Sequence, residues 1–371
     1  MLFNIISERR KMIDKAPANQ LPSTFAVNEL AKALHPGYIP ARIAAIREET
    51  ENVKTFTLVP ASSNKVFPYF RAGQYITLSA NIGESLLTRP YSLSSSPKQA
   101  LEGIYEVTVK RDGLFSSWLI DQAAVGTELV LGEPGGDFYH DNLRDSNKVV
   151  AIAGGCGITP FRSMIKAVIE GSEDYQITLI YGARTRSDII FKKELETLSD
   201  ERIRIIIVLS EEKAEGYEHG FITADVLKKF APESASFFLC GPDEMYRFVK
   251  DELKKLEITD KNIRHERNAA GNRNVDNPRV FKLKVRMRDK VYSIPARENE
   301  TLTVAMERAG LNAPSRCRSG ICGFCHSKLI SGTYTVLKEH EYRRAADFKF
   351  GFIHPCCTYP DSDMEIDVPT V

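Results

Sequence analysis

Three cysteines stand at C-x4-C-x2-C spacing in Cys317-Arg-Ser-Gly-Ile-Cys322-Gly-Phe-Cys325, and thirty residues separate them from a further pair, Cys356 and Cys357. This run constrains the chain more than any other feature. Thiolates are soft, strongly donating ligands, and cysteines this close on a tight loop bring several sulfurs, and backbone N–H groups, onto one centre. Gly320 and Gly323 permit that approach. Only Cys156 and Cys240 lie outside the last 55 residues, so the seven cysteines are odd in number and clustered. That reads as metal ligation rather than a disulfide framework. Tetrahedral zinc favours C-x2-C pairs. A C-x4-C-x2-C run with a distant fourth cysteine is the spacing of a [2Fe–2S] cluster, and spacing alone leaves Cys356 and Cys357 both open as that ligand. His326 reads as a solvent-facing neighbour of the loop.

The remaining sequence is too long for one core: 371 residues imply two or three domains. Lys+Arg (50) and Asp+Glu (49) nearly cancel, which argues against a nucleic-acid partner recognised through a basic field. Leu2, Phe3, Ile5 and Ile6 give way at once to Glu8-Arg9-Arg10-Lys11, and runs such as Ile205–Leu209 are strand-length. We therefore expect no integral membrane segment and a cytoplasmic protein. Residues 1–36 read as a polar extension, with a short helix over Val27–Leu34 stopped by Pro36-Gly37. Residues 37–142 carry short strands between turn residues (Ala41–Arg47, Thr55–Val59, Gln74–Ser79, Tyr105–Lys110, Glu128–Leu131), the pattern of a small antiparallel β-barrel.

From 143 to 268 strands and helices alternate, which predicts a mostly parallel α/β sheet. Val149–Ala153, Ile177–Tyr181, Ile203–Leu209 and Phe237–Leu239 are its strands. One helix begins with Thr159 as N-cap and Pro160 as first helical residue, its apolar stripe being Phe161, Ile165, Val168 and Ile169. Met245, Phe248, Val249, Leu253 and Leu256 form the stripe of another. Residues 269–279 fall in an Asn-, Gly- and Arg-rich stretch (Asn268–Pro278) that reads as a linker. In 280–371, Phe281, Leu283, Val285 and Met287 alternate with basic residues as a half-buried strand. A turn near Asp289, a strand Val291–Ile294 and a helix Leu302–Ala309 ended by Gly310 follow.

Arg89-Pro90-Tyr91-Ser92 offers a guanidinium fork for phosphate, a ring for stacking and a hydroxyl donor. Lys110-Arg-Asp-Gly113-Leu114-Phe115-Ser116 follows, then Gly132-Glu-Pro-Gly-Gly-Asp-Phe138. Gly154-Gly155-Cys156-Gly157-Ile158-Thr159-Pro160 lies between a strand and a helix start, where glycines admit a pyrophosphate to a helix N-terminus. Cys240-Gly241-Pro242 and Met245 come at a later strand end.

Together these motifs resemble the ferredoxin–NADP reductase superfamily, and residues 280–371 resemble plant-type ferredoxin domains. The resemblance implies a β-barrel for the flavin, a Rossmann-like parallel sheet for the nicotinamide and an α+β β-grasp domain for the cluster. It aligns Cys356, with Cys317, Cys322 and Cys325, as a cluster ligand, and puts Cys357 where a non-ligand usually sits. It implies that Arg89, Pro90, Tyr91 and Ser92 hold the flavin phosphate and ring. Lys110 and the Gly113–Ser116 turn would bind its pyrophosphate. FAD is the expected flavin, with FMN the alternative. Gly154, Gly155, Gly157, Ile158 and Thr159 would take the nicotinamide cofactor with Cys240, Gly241, Pro242 and Met245, the Cys240 thiol near the reacting carbon. Glu266, in Ile263-Arg-His-Glu-Arg-Asn268, resembles the E-x-F element beside the flavin, although Asn268 replaces the Phe.

Glu211 follows Ser210 where NADPH users of this family place Arg. A carboxylate accepts from ribose hydroxyls and repels a 2′-phosphate, so NADH is expected. Arg184 and Arg186 keep NADPH open. The three sites imply an NAD(P)H oxidoreductase in which electrons run from the nicotinamide to flavin N5, then singly through the cluster to a protein acceptor, an oxygenase or other redox enzyme. Tyr91, Ser92, Cys240 and Glu266 would surround the reacting atoms. Two other readings stand beside it: an electron relay or redox sensor without NADH turnover, and a flavin reductase acting directly on a small molecule.

Overall fold

A computed structural model describes residues 2–15, 25–29, 37–62 and 66–369. The chain divides into two compact units, residues 1–37 and 38–371. The first carries a helix, Leu2–Lys15, with an exposed Lys11–Glu8 pair one turn apart at 3.0 Å. Of the short helix expected over 27–34, residues 26–29 are helical and 30–36 lie outside the described residues. No described helix is long and apolar enough to cross a membrane.

The second unit opens with six strands, β1 (Ile39–Thr50), β2 (Val53–Pro60), β3 (Tyr75–Ile82), β4 (Ser85–Ser92), β5 (Tyr105–Lys110) and β6 (Glu128–Leu131). They pair antiparallel in the order β4-β3-β6-β1-β2-β5. Just past β4, Leu93 bridges Val107 of β5 and joins the two edges. Strand alternation turns Ile43, Phe56, Leu58, Ile76, Leu78 and Val107 into the core. The barrel expected from the short strands is present. Closure removes its open edges.

Six parallel strands follow: β7 (Lys148–Gly154), β8 (Gln176–Ala183), β9 (Ile203–Leu209), β10 (Glu218–His219), β11 (Ser236–Cys240) and β12 (Ile263–His265). Their order is β10-β9-β8-β7-β11-β12, so the winding reverses between β7 and β11. Ligands of open α/β sheets bind at the carboxyl ends of strands at such a reversal, and here those ends are Gly154 and Cys240. The helix Thr159–Ile169 differs from expectation at its start. A 3-10 turn, Gly155–Ile158, runs straight into it, so Thr159 is the first helical residue, and its hydroxyl donates to the Cys156 carbonyl (3.0 Å). Ile169 is exposed, as is Phe248 on the helix Asp243–Lys255, whose buried stripe is Tyr246, Val249 and Leu253.

The last domain is a mixed sheet, β14-β13-β19-β15-β17, with a small β16-β18 pair. Its strands are β13 (Val280–Met287), β14 (Lys290–Arg297), β15 (Ser327–Ser331), β16 (Tyr334–Val336), β17 (Phe352–Ile353), β18 (Thr358–Pro360) and β19 (Met364–Asp367). The helix Leu302–Arg308 buries Leu302, Ala305 and Met306 against Leu283, Val285 and Ile366. The linker is strapped down. Ala270 N–H donates to the Arg318 carbonyl (2.9 Å), the Tyr359 hydroxyl donates to the Gly271 carbonyl (2.6 Å), and Arg273 pairs with Asp361.

Candidate functional site: two pockets and a cysteine loop

The barrel and the parallel sheet are locked by a buried arginine. Arg162 donates to Glu106 of β5 (2.7 Å), to the Ser94 carbonyl (2.9 Å) and to Glu194 (2.9 Å). Burial alone would raise the Glu106 carboxyl. The charge and hydrogen bond of Arg162, with Lys166 and Arg47, outweigh it and hold the group below the usual range. This clamp ties Ser94, just past β4, and Glu106 of β5 to the helix that follows β7, and the ends of β4 and β11 meet through Glu266.

At those ends Ser92 Oγ donates to one oxygen of Glu266 and the Cys240 thiol to the other, both at 2.8 Å. Three expected residues from three separate elements thus meet on one carboxyl. Burial pushes that carboxyl up, although the bonds from Cys240 and Ser92 hold it back. The Cys240 thiol is raised far above its usual value, by burial first and then by Glu266, so Cys240 is a protonated donor and not a nucleophile. Asn268, standing where the resemblance has Phe, donates to the Gly241 carbonyl (3.1 Å) and to Asp243 (2.8 Å), which anchors the segment carrying Glu266.

The Tyr91 ring lies 6.1 Å from that of Phe115 at a 31° tilt, and Ser116 Oγ accepts from the N–H groups of Asp112 and Gly113 (both 2.9 Å). Ser116 therefore caps the helix Leu114–Asp121, while Gly113, Leu114 and Lys110 are exposed beside its N-terminus. Arg89 is already engaged. Its Nη1 donates to Glu307 of the last domain (2.9 Å) and to its neighbour's carbonyl at Thr88 (2.8 Å).

A Cβ on Gly157 would strike the backbone of Cys240, and one on Gly154 would lie 2.5 Å from Met245 Sδ. These glycines let the two strand-end loops pack backbone on backbone, with Met245 against both Gly154 and Gly241. Cys156, half-buried, has its thiol pushed up to about 12 by burial and donates to the Thr108 carbonyl (3.6 Å). It is a loop residue. Glu211 is exposed, its N–H donating to the Arg184 carbonyl (2.9 Å). Arg186 is paired to Glu212 (2.5 Å), and Arg184 reaches Asp188 at 3.4 Å across exposed surface.

Cys317 interacts with the thiols of both Cys322 and Cys356, and Cys325 with that of Cys356, which draws Cys317 and Cys325 below the usual thiol range. The Cys322 N–H points at Cys317 Sγ and the Phe324 N–H at Cys322 Sγ, both at 3.5 Å. Four sulfurs on one loop system with inward N–H donors fit an iron–sulfur cluster. Gly320 and Gly323 have positive φ, +87° and +69°. A Cβ on Gly320 would come within 2.8 Å of Cys357 Sγ, whose thiol instead donates to the His354 (3.4 Å) and His340 (3.6 Å) carbonyls. His326 is not simply solvent-facing. Its Nε2 lies 2.8 Å from Asp347 and its ring stacks on Phe352.

Four residues the sequence did not single out connect these centres. Arg318, buried in the cysteine loop, donates to the same Glu307 oxygen as Arg89 (2.8 Å). Arg316 pairs with Glu133 of the barrel (3.1 Å). Burial raises the Tyr75 phenol, and Cys317, Cys322 and Glu266 raise it further against Arg316. Tyr75 opens β3 opposite Ser92 of β4, where the charges of both the cysteine loop and Glu266 reach it. No short-range signal marks Arg89–Glu307 or Arg316–Glu133, whose partners lie 218 and 183 positions apart.

Family models match three stretches: an oxidoreductase FAD-binding domain (residues 40–140), an oxidoreductase NAD-binding domain (151–251) and a 2Fe-2S iron-sulfur cluster binding domain (285–361). The glycine betaine monooxygenase reductase subunit of Chromohalobacter salexigens is 30% identical over 357 residues, covering 88% of this chain and 94% of that one. The chain belongs to the ferredoxin–NADP reductase superfamily, in the branch with a C-terminal [2Fe–2S] domain. A component of the 1,2-phenylacetyl-CoA epoxidase of Escherichia coli K12 is 31% identical, covering 88% of this chain and 96% of that one. Phthalate dioxygenase reductase shares the fold, with a TM-score of 0.67 at 24% identity over 90% of this chain and 98% of that one. As a member of this branch the protein is an NADH-dependent oxidoreductase that uses FAD and a [2Fe–2S] cluster.

Proposed function

We propose that the protein supplies single electrons to a separate oxygenase in the cytoplasm. Flavin exchanges electrons in pairs with a nicotinamide and one at a time with an iron–sulfur cluster, which is why such a chain needs both. Cys317, Cys322, Cys325 and Cys356 hold the cluster. Arg89–Ser92, Lys110 and the Gly113–Ser116 turn hold FAD. Gly154–Thr159 and Cys240–Met245 hold the nicotinamide cofactor, with Glu211 and Arg184 at its ribose. Glu266 is a positioning residue that orients Ser92 and Cys240 by accepting from both. The domains run over 37–142, 143–268 and 280–371, with 1–36 an extension and 269–279 the connector.

The observation that carries this reading is Glu307, one oxygen of which accepts from Arg89 of the Arg89–Ser92 motif (2.9 Å) and from Arg318 of the cysteine loop (2.8 Å). The oxygenase acceptor rests on the relatives named above. The test is Cys322→Ser in the cofactor-loaded protein. We expect loss of the cluster spectrum and of cytochrome c reduction while NADH–ferricyanide activity is largely kept. Loss of both activities would mean that the flavin does not work independently. Retention of both would favour a flavin reductase acting on small molecules, and wild-type protein inert toward NADH would leave only a relay.

A further inference from the structure

We propose that the short helix Ala345–Phe350 and its flanks form the docking face for the electron acceptor, and that the acceptor presents an apolar centre rimmed by carboxylates. The inference rests on the reading that the cysteine-bound centre passes electrons outward. On this helix Phe348 and Phe350 are 53% and 56% exposed. Exposed aromatics are enriched at interaction surfaces, and Phe348 is the ring set among basic side chains.

The exposed charges around them are mostly basic. Asp347, the only carboxylate on the helix, is buried and spent on His326 and on the Arg344 N–H (2.8 Å). Glu341 is tied to Arg343 at 2.5 Å, and the Arg343 guanidinium lies 4.3 Å from the centre of the Phe348 ring. Facing outward remain Lys338, Arg344 (side chain 83% exposed) and Lys349 against Glu339. A basic rim of this kind steers and selects an acidic partner.

The patch is also fastened to the cysteine loop. His326, which bonds Asp347, directly follows Cys325, and its ring meets that of His354 edge-on at 5.8 Å. His354 Nδ1 in turn lies 2.6 Å from the Gly320 carbonyl. The barrel reaches the loop through other residues, Arg316 and Arg318, so flavin and acceptor need not compete for one surface.

Two haem proteins of opposite surface charge serve as probes: cytochrome b5, with an acidic haem edge, and cytochrome c, with a basic one. With holoenzyme at low salt, Arg344→Glu/Lys349→Glu should lower kcat/KM for cytochrome b5 about tenfold and raise it for cytochrome c. It should weaken binding to immobilised cytochrome b5 to a similar extent, and added salt should erase the difference. Phe348→Ser should lower kcat/KM for both probes. The cluster spectrum and NADH–ferricyanide activity should stay unchanged in every variant. Unaltered rates and unaltered binding in both variants would place docking elsewhere and overturn the proposal. Wild-type holoenzyme that reduces neither haem protein while reducing ferricyanide would instead overturn outward electron transfer itself.

Discussion

Glu266 gathers hydrogen bonds from two separate strand ends onto one carboxyl. It accepts from Ser92 and Cys240 at equal distance, in a place where burial opposes its ionisation. Glu266→Ala should slow NADH-dependent flavin bleaching in stopped flow by about 100-fold, since small misplacements of reacting groups carry penalties of that order. Glu266→Gln, which keeps an acceptor oxygen, should lose much less, and equal losses would point to the charge rather than the geometry. Glu211→Arg should shift the NADPH/NADH ratio of kcat/KM upward, because it removes a repulsive carboxylate and adds a fork for a 2′-phosphate. No change would mean that the ribose lies elsewhere. The residues in compact motifs were legible from sequence, because glycine spacing and strand ends have local causes. Tyr75 and Glu307 were not, because their importance comes only from what the fold carries to them.

At the scale of elements, the helix expected over Leu302–Ala309 is present as Leu302–Arg308, yet its one buried acid faces outward from its own core cluster toward Arg89 and Arg318. Two guanidiniums converge on one Glu307 oxygen, and Oε2 is buried without a protein partner among the described residues. Removing the carboxylate would leave Arg318 buried and unpaired, a loss of roughly 3–5 kcal/mol for such groups. Glu307→Leu should therefore slow electron passage from flavin to cluster and lower the melting temperature, both measurable on holoenzyme. Unchanged values would show the contact to be incidental. In the cysteine loop, Cys357→Ser should leave the cluster's visible spectrum intact, since that sulfur is turned to two carbonyls; loss of the spectrum would exchange the assignments of Cys356 and Cys357. The strand-and-helix alternation forecast the parallel sheet, while the start of Thr159–Ile169 escaped because a 3-10 turn replaced a side-chain cap.

Across residues 38–371, the barrel and the parallel sheet share a buried core in which Val53, Ala72 and Phe138 pack with Phe161 and Phe238, and ion pairs reinforce that joint and reach the last domain. Glu106 is held below its ordinary value of 4.5, mainly because Arg162 outweighs the penalty of burial. A depressed carboxyl contributes stability that is fully present above the ordinary value and lost as the pH falls through the depressed one. Melting temperature should therefore decline below about pH 4.5, and Glu106→Gln should flatten that decline at the expense of a lower plateau. An unaltered acid limb in the variant would remove Glu106 from the explanation. The domain sequence was plain from the changing periodicity, but the tightness of the joints was not, since the glycine- and asparagine-rich connector reads as loose chain. Its bonds through Ala270, Gly271 and Arg273 have a practical consequence: trypsin or another protease offered the folded protein should spare this stretch, so the iron–sulfur module will not be released by a nick where composition suggests one.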